Sequence, residues 1–242
     1  MSNYLTDGYY SESRSAAAAP ENVRAGFLRR TYAILLLAIV ALVGLEALLI
    51  SSGAGIMFIQ AIGGSPALLI GTLVLFIASG FIAQYMARSS MSPAVQYLGL
   101  ALFVCFEAVI LLPMLTFCTM IPRFQHIPLQ AGILTLVVFG GLSAVVFVSK
   151  KDFSFLGKIL MICSLLAVGV VVLSFFTPIN LGVWFSVAMI GLACGSILYD
   201  TSNVLHHYPP NAHVAAALEL FSSMAMLFFY IIRLMLQLNS SD

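Results

Sequence analysis

Seven stretches of this chain are long and apolar enough to cross a lipid bilayer: residues 31–50, 66–86, 94–115, 130–148, 159–177, 181–199 and 213–237. A hydrocarbon core of about 30 Å is crossed by roughly 20 apolar residues in helical form. Lipid offers no partner to unpaired backbone groups, so a spanning segment is either a helix or a strand of a closed barrel. None of the seven alternates in polarity as barrel strands do. The sequence therefore predicts an all-α integral membrane protein, a seven-transmembrane helix bundle.

Composition points the same way. Hydrophobic residues make up 62% of the chain and charged residues 8%, against about 25% charged in a soluble domain. The surface must face lipid. A net charge of +1 with no basic run gives no electrostatic case for nucleic acid. Cys105, Cys118, Cys163 and Cys194 are scattered without paired spacing, which suggests neither a disulfide framework nor a zinc site.

Clusters of Gly, Pro, Ser and Asn separate the runs: SSGAG (51–55), GGSP (63–66), RSSMSP (88–93), IPRFQHIP (121–128), KKDFSFLGK (150–158), FTPIN (176–180) and HHYPPNAH (206–213). Residues 1–26 are polar and small and contain no apolar signal-peptide core, so they read as a disordered tail. Residues 27–238 then form the transmembrane domain, and 239–242 a short C-terminal tail. With the N-terminus inside, that side holds Arg14, Arg24, Arg29, Arg30, Arg88, Lys150, Lys151 and Lys158, and the other only Arg123 and Arg233. The bias predicts a cytoplasmic N-terminus and an external C-terminus. The small-residue motifs Gly191-Leu-Ala-Cys-Gly195 and Gly140-Gly141 with Ala144 are read as packing within the chain rather than as dimer contacts.

Four carboxylates interrupt apolar segments: Glu46, Glu107, Asp200 and Glu219. A charge at the centre of a membrane helix costs about 2.5–3.5 kcal/mol on insertion scales, so each is a candidate functional group. Topology places Asp200 and Glu219 towards the inner face as a pair, with Glu46 and Glu107 forming a looser outer group. Along the last helix Glu219, Ser222, Ser223, Tyr230 and Arg233 fall within about 40–60° of one line. Such a polar stripe faces protein or a hydrated cavity. Glu219 and Arg233 lie about 21 Å apart along the axis, too far to pair. Arg233 is expected either to neutralise Glu46 or Glu107 or to snorkel to outer headgroups. An Asp200–Glu219 pair either shares a proton, holds a hard cation such as Ca²⁺ in passing, or is structural hydrogen bonding. No resident cofactor or metal is expected; His206, His207 and His213 match no metal signature and read as loop histidines.

Three segments then carry a resemblance. KKDFSFLGKILM (150–161), GSILYDTSNVLHH (195–207) and AALELFSSMAMLFFYIIRLM (216–235) resemble the loop, the acidic-Thr-Ser-Asn segment and the last helix of the Bax inhibitor-1 superfamily, in particular its bacterial YccA branch. The resemblance covers about residues 25–238. It implies six helices around a central C-terminal helix. It also implies a pH-sensitive calcium-leak site built from two aspartates, of which Asp200 matches the first while Ser223 stands at the second position and Glu219 lies one turn earlier. The arginine that latches the first aspartate in some members has no counterpart between residues 66 and 87. These departures fit the YccA branch, which implies a non-enzymatic modulator and substrate of the membrane-anchored protease FtsH and its associated regulators, presented through the cytoplasmic tail, in a bacterial inner membrane. The alternative is a calcium or proton leak using the intramembrane carboxylates. An intramembrane protease is disfavoured, because Tyr199-Asp200 lacks a partner Gly-x-Gly-Asp, and Ser222 and Ser223 lack the Gly-x-Ser-Gly setting of a serine nucleophile.

Overall fold

A computed structural model describes residues 17, 19–63, 66–87, 92–174 and 181–240. Arg14, Arg88, the whole FTPIN break and the greater part of the N-terminal segment lie outside them. The described chain forms helices α1 (Glu21–Ser51), α2 (Ala54–Gly63), α3 (Pro66–Ala87), α4 (Pro93–Met120), α5 (Ile127–Ser149), α6 (Leu156–Ser174), α7 (Val183–His206) and α8 (His213–Ser240). Seven of them have 19 residues or more, at least about 28 Å at 1.5 Å per residue, which suffices for a bilayer core.

The helix ends follow local chemistry. Ser92 caps α4, its hydroxyl accepting from the Val95 amide at 3.4 Å, and Pro93 occupies the first turn, where a missing N–H is harmless. Pro122 stops α4 and opens a short 3₁₀ turn, Pro122–Phe124. Lys150 ends α5 in the left-handed conformation, and its N–H bonds the Val146 carbonyl. Gly53, with φ of 79°, makes the corner between α1 and α2 that a side chain would strain.

Two boundaries differ from the sequence expectation. The first helix begins at Glu21 behind Pro20, so residues 21–26 are helical rather than part of a disordered tail. The last helix runs on to Ser240, into the expected C-terminal tail. A short helix, α2, also fills the space between the SSGAG and GGSP breaks. It approaches α4 so closely that a methyl group on Gly55 would run into the Thr116 hydroxyl.

The last helix is the axis of the bundle. Helices α1, α3, α4, α5 and α7 all pack against α8, and α6 stands outside, held mainly by α7. Of the most apolar stretch of α8, 67% is buried, whereas in α6 nothing is. Small residues make this possible: Ala215, Ala216 and Ala217 let neighbouring backbones approach, while Phe221, Leu227 and Ile232 fill the gaps higher up. The outward side chains of α6, such as Ile159, Leu165 and Leu173, form an apolar surface suited to acyl chains. Gly157 and Gly195 set the α6–α7 contact: a Cβ on Gly157 would lie 2.7 Å from the Tyr199 ring, and one on Gly195 2.9 Å from Leu160. Gly195 of the GxxxG therefore serves packing within the chain.

Candidate functional site: a carboxylate vestibule at the basic end

The ends of α3 and α7 and the starts of α4, α6 and α8 gather at one end of the bundle, around one cavity. This end carries Lys150, Lys151 and Lys158. A cavity of about 780 Å³ opens there between α3, α4, α6, α7 and α8. Among its lining residues none lies beyond Ser223 on α8 or before Ser196 on α7. Above that level Met224, Leu227, Ile231 and Ile232 close the core.

Asp200 and Ser223 form the inner wall. Asp200 is in the last two turns of α7, 8% exposed, and its Oδ2 accepts a short hydrogen bond from the Ser223 hydroxyl on α8. Glu219 and Ser222 line the same cavity. Residues 219 and 223 are four apart on one helix, hence on one face. The structure thus brings together three of the site residues singled out from sequence, Asp200, Glu219 and Ser223. Among the described residues no three His, Cys, Asp or Glu side chains converge as metal ligands would.

The other candidates lie elsewhere. Glu46 on α1 and Glu107 on α4 are each 5% exposed and within electrostatic reach of each other. Among the described residues neither carboxyl oxygen of Glu46 has a hydrogen-bond partner. Arg233 does not neutralise them. Its Nη2 donates to the Leu181 carbonyl at 2.8 Å, and its guanidinium lies 5.5 Å from the centre of the Phe185 ring. Gln237 donates to the same carbonyl at 3.0 Å and accepts from Ser186 at 2.8 Å. A backbone acceptor at the start of α7 outcompetes a distant carboxylate, because a guanidinium fork finds its bond there without moving a helix.

One arrangement has no precursor in the sequence reading. The α5–α6 loop is tied to α7 at the cavity mouth. The Phe153 amide donates to Ser202 Oγ at 2.8 Å, and that hydroxyl donates to Asp152 Oδ1 at 3.3 Å. Asp152 Oδ1 also accepts from the Ser154 amide at 2.8 Å, and Oδ2 lies 3.4 Å from His207 Nε2. The Ser154 amide leads in holding the Asp152 carboxyl below the usual carboxylate range; partial desolvation opposes it, and the Ser154 hydroxyl, His207 and Ser202 each add a smaller lowering. His207 also lines the cavity, so this loop histidine belongs to its rim. An Asp followed two residues later by Ser at a helix start is a local turn signal, but nothing in the pattern reveals the partner some 50 residues away.

The three segments singled out in the sequence therefore meet: Gly157, Asp200 and Ser223 each come from a different one, and all line one cavity. Comparison with known proteins agrees. The family profile described as "Inhibitor of apoptosis-promoting Bax1" matches residues 24–241. Protein lifeguard 4 of Mus musculus is 30% identical across 92% of this chain and 90% of its own length. Bax inhibitor 1 of Schizosaccharomyces pombe is 33% identical over 60% of this chain, which spans 54% of that protein. An uncharacterized membrane protein of Vibrio cholerae is 28% identical over 80% of this chain and 86% of its own. A match over nearly the whole chain, on a bundle whose diagnostic segments converge at one vestibule, makes the protein a member of the Bax inhibitor-1 family.

Proposed function

We propose that the protein is a non-enzymatic membrane regulator whose working part is the vestibule, acting as a pH-sensitive leak for Ca²⁺ or protons. The basic end is then the cytoplasmic one, in keeping with its lysines and arginines. The observation that carries this reading is Asp200, a carboxylate buried at the inner wall of the cavity and held to the axial helix by Ser223. An intramembrane carboxylate facing a cavity is the usual mark of an ion path. Because the cavity stops at Ser223, passage requires α8 to part from α7, and the Ser223–Asp200 bond is the contact that must break. Glu219 supplies the second carboxylate where Ser223 replaces the second aspartate. Reconstituted vesicles should show a pH-dependent Ca²⁺ flux that falls in Asp200→Asn. Equal flux in the two proteins would reject the leak.

Ser223 itself favours a second reading. A chain without the second aspartate suits the YccA-like role of occupying the FtsH protease, with the N-terminal segment ahead of Glu21 as the presented tail in a bacterial inner membrane. A tagged protein would then co-purify with FtsH, and trimming residues 2–20 would slow its turnover. Normal turnover without co-purification would remove this reading.

A further inference from the structure

Among the described residues α6 is the one long helix that buries no side chain. It meets the bundle along a single side. Gly157 and Leu160 sit against Tyr199 and Gly195 of α7, and Met161 and Ser164 of that side line the vestibule. A separate side is free of the bundle. Lys158, Ile162, Leu165, Gly169, Val172 and Leu173 fall within about 50° of one line on a 3.6-residue period, and all six are exposed. The stripe is about 22 Å long at 1.5 Å per residue, more than the roughly 15 Å of hydrocarbon in one leaflet. Gly169 leaves a groove in its middle, since a Cβ there would meet nothing within 4 Å.

The stripe begins at a lysine, and two more precede it in the α5–α6 loop. Lys150, Lys151 and Lys158 are all exposed. The loop that carries them is compact: the Leu156 and Gly157 amides donate to the Phe153 and Ser154 carbonyls, and Ser202 ties it to α7. Its one carboxylate, Asp152, is turned towards α7, bonded by Ser202 and 3.4 Å from His207. Among the described residues none of the three lysines pairs with a carboxylate, and none lines the vestibule that holds Asp200 and Glu219. The first turn of α6 contains no acidic residue, so Lys158 stands at the positive end of a helix dipole, where an anion is favoured. Phe155, beside these lysines, is 65% exposed, a ring suited to the boundary between headgroups and acyl chains. Cations, then a ring, then an apolar groove match an anionic phospholipid read from phosphate to acyl chain.

We infer that the α5–α6 loop and the outer side of α6 form a docking surface for an anionic phospholipid, its phosphate held by Lys158 with Lys150 and Lys151 and one acyl chain laid along residues 162–173. This docking does not depend on whether the vestibule passes ions. The test uses the full chain, purified in detergent and freed of bound lipid, in native mass spectrometry with phosphatidylglycerol and phosphatidylcholine of the same acyl chains. The first phosphatidylglycerol should bind about tenfold tighter than phosphatidylcholine or better, since each lysine at an anionic headgroup contributes about fivefold. Lys158→Gln should weaken phosphatidylglycerol by about fivefold and leave phosphatidylcholine unchanged, and Lys158→Arg should restore it. Arg29→Gln removes one exposed charge from α1, beside Arg30, which acts on His213 at the start of α8. It should change phosphatidylglycerol binding by less than about twofold, because its charge lies off the docking surface. Equal affinity for the two lipids overturns the site, and this comparison on the unmodified chain needs no variant to fold. Equal losses in Arg29→Gln and Lys158→Gln overturn it as well, because net charge alone then attracts the lipid. A wild-type dimer that excludes lipid also overturns it, with a second copy covering α6. Glycerophosphoglycerol, which lacks acyl chains, should not displace the bound lipid; full displacement at matched concentration overturns the role of the groove.

Discussion

The hydroxyl of Ser223 on the axial helix donates to the buried carboxylate of Asp200 on α7, joining the two helices that pack most extensively against each other, at the depth where the vestibule ends. Charge-assisted bonds of this kind are the strong ones, and a buried acceptor deprived of its donor loses about 1–3 kcal/mol. Ser223→Ala should destabilise the protein by that amount in detergent unfolding and raise resting Ca²⁺ leak, because the contact that closes the vestibule is weakened. Ser223→Thr keeps the hydroxyl and should restore both. Wild-type leak in Ser223→Ala would mean that the bond does not hold the vestibule shut.

Arg233 and Gln237 converge on one carbonyl, that of Leu181, just before α7 begins. The guanidinium also lies against Phe185. Arg233→Lys keeps the charge but loses the planar group that can bond the carbonyl and cover the ring. It should cost about 1–2 kcal/mol, and hydrogen exchange should rise at residues 183–186 and nowhere near the vestibule. A neutral outcome would reassign Arg233 to the headgroup region.

Much of this bundle is legible in the sequence because lipid imposes simple rules. Spans of 31–50 or 213–237 announce themselves by length and apolarity. The line through Glu219, Ser223 and Arg233 follows from helical periodicity, and α8 is indeed the helix enclosed by its neighbours. What periodicity does not carry is the identity of a partner on another helix. Arg233 chose a backbone carbonyl, an acceptor that every residue possesses and no pattern marks. Asp152 found Ser202, at a separation fixed only by how α5, α6 and α7 pack. The helix α2 was hidden because its ten residues are too few to span and its flanks read as turns.

Glu46 contrasts with Asp200. Its carboxyl is enclosed between helices, yet neither oxygen is bonded among the described residues. Leaving a buried polar group unbonded costs about 1–3 kcal/mol, so an apolar residue of similar size in its place is stabilising. Glu46→Met should therefore raise the unfolding temperature in detergent. If it also leaves Ca²⁺ flux unchanged, Glu46 and Glu107 stand outside the ion path. A drop in both stability and flux would show that Glu46 works in the path.

Asp152 offers a pH test outside the membrane. Its carboxyl is held below the ordinary carboxylate value, chiefly by the Ser154 amide. A lowered folded-state value means that the anion favours the folded loop. That contribution is fully present above the unfolded value of about 3.9, and it is lost as pH falls through the lowered folded value. The loop should thus stay attached to α7 from neutral pH down to about 4 and loosen only below. Hydrogen exchange at the Phe153 and Ser154 amides, which bond Ser202 and Asp152, reads this directly. After correction for intrinsic rates, protection should be flat across the upper range and fall at the acid end. In Asp152→Asn it should be weaker at neutral pH, and the acid-side fall should vanish. A variant that kept the full acid-side fall would show that another group governs the loop.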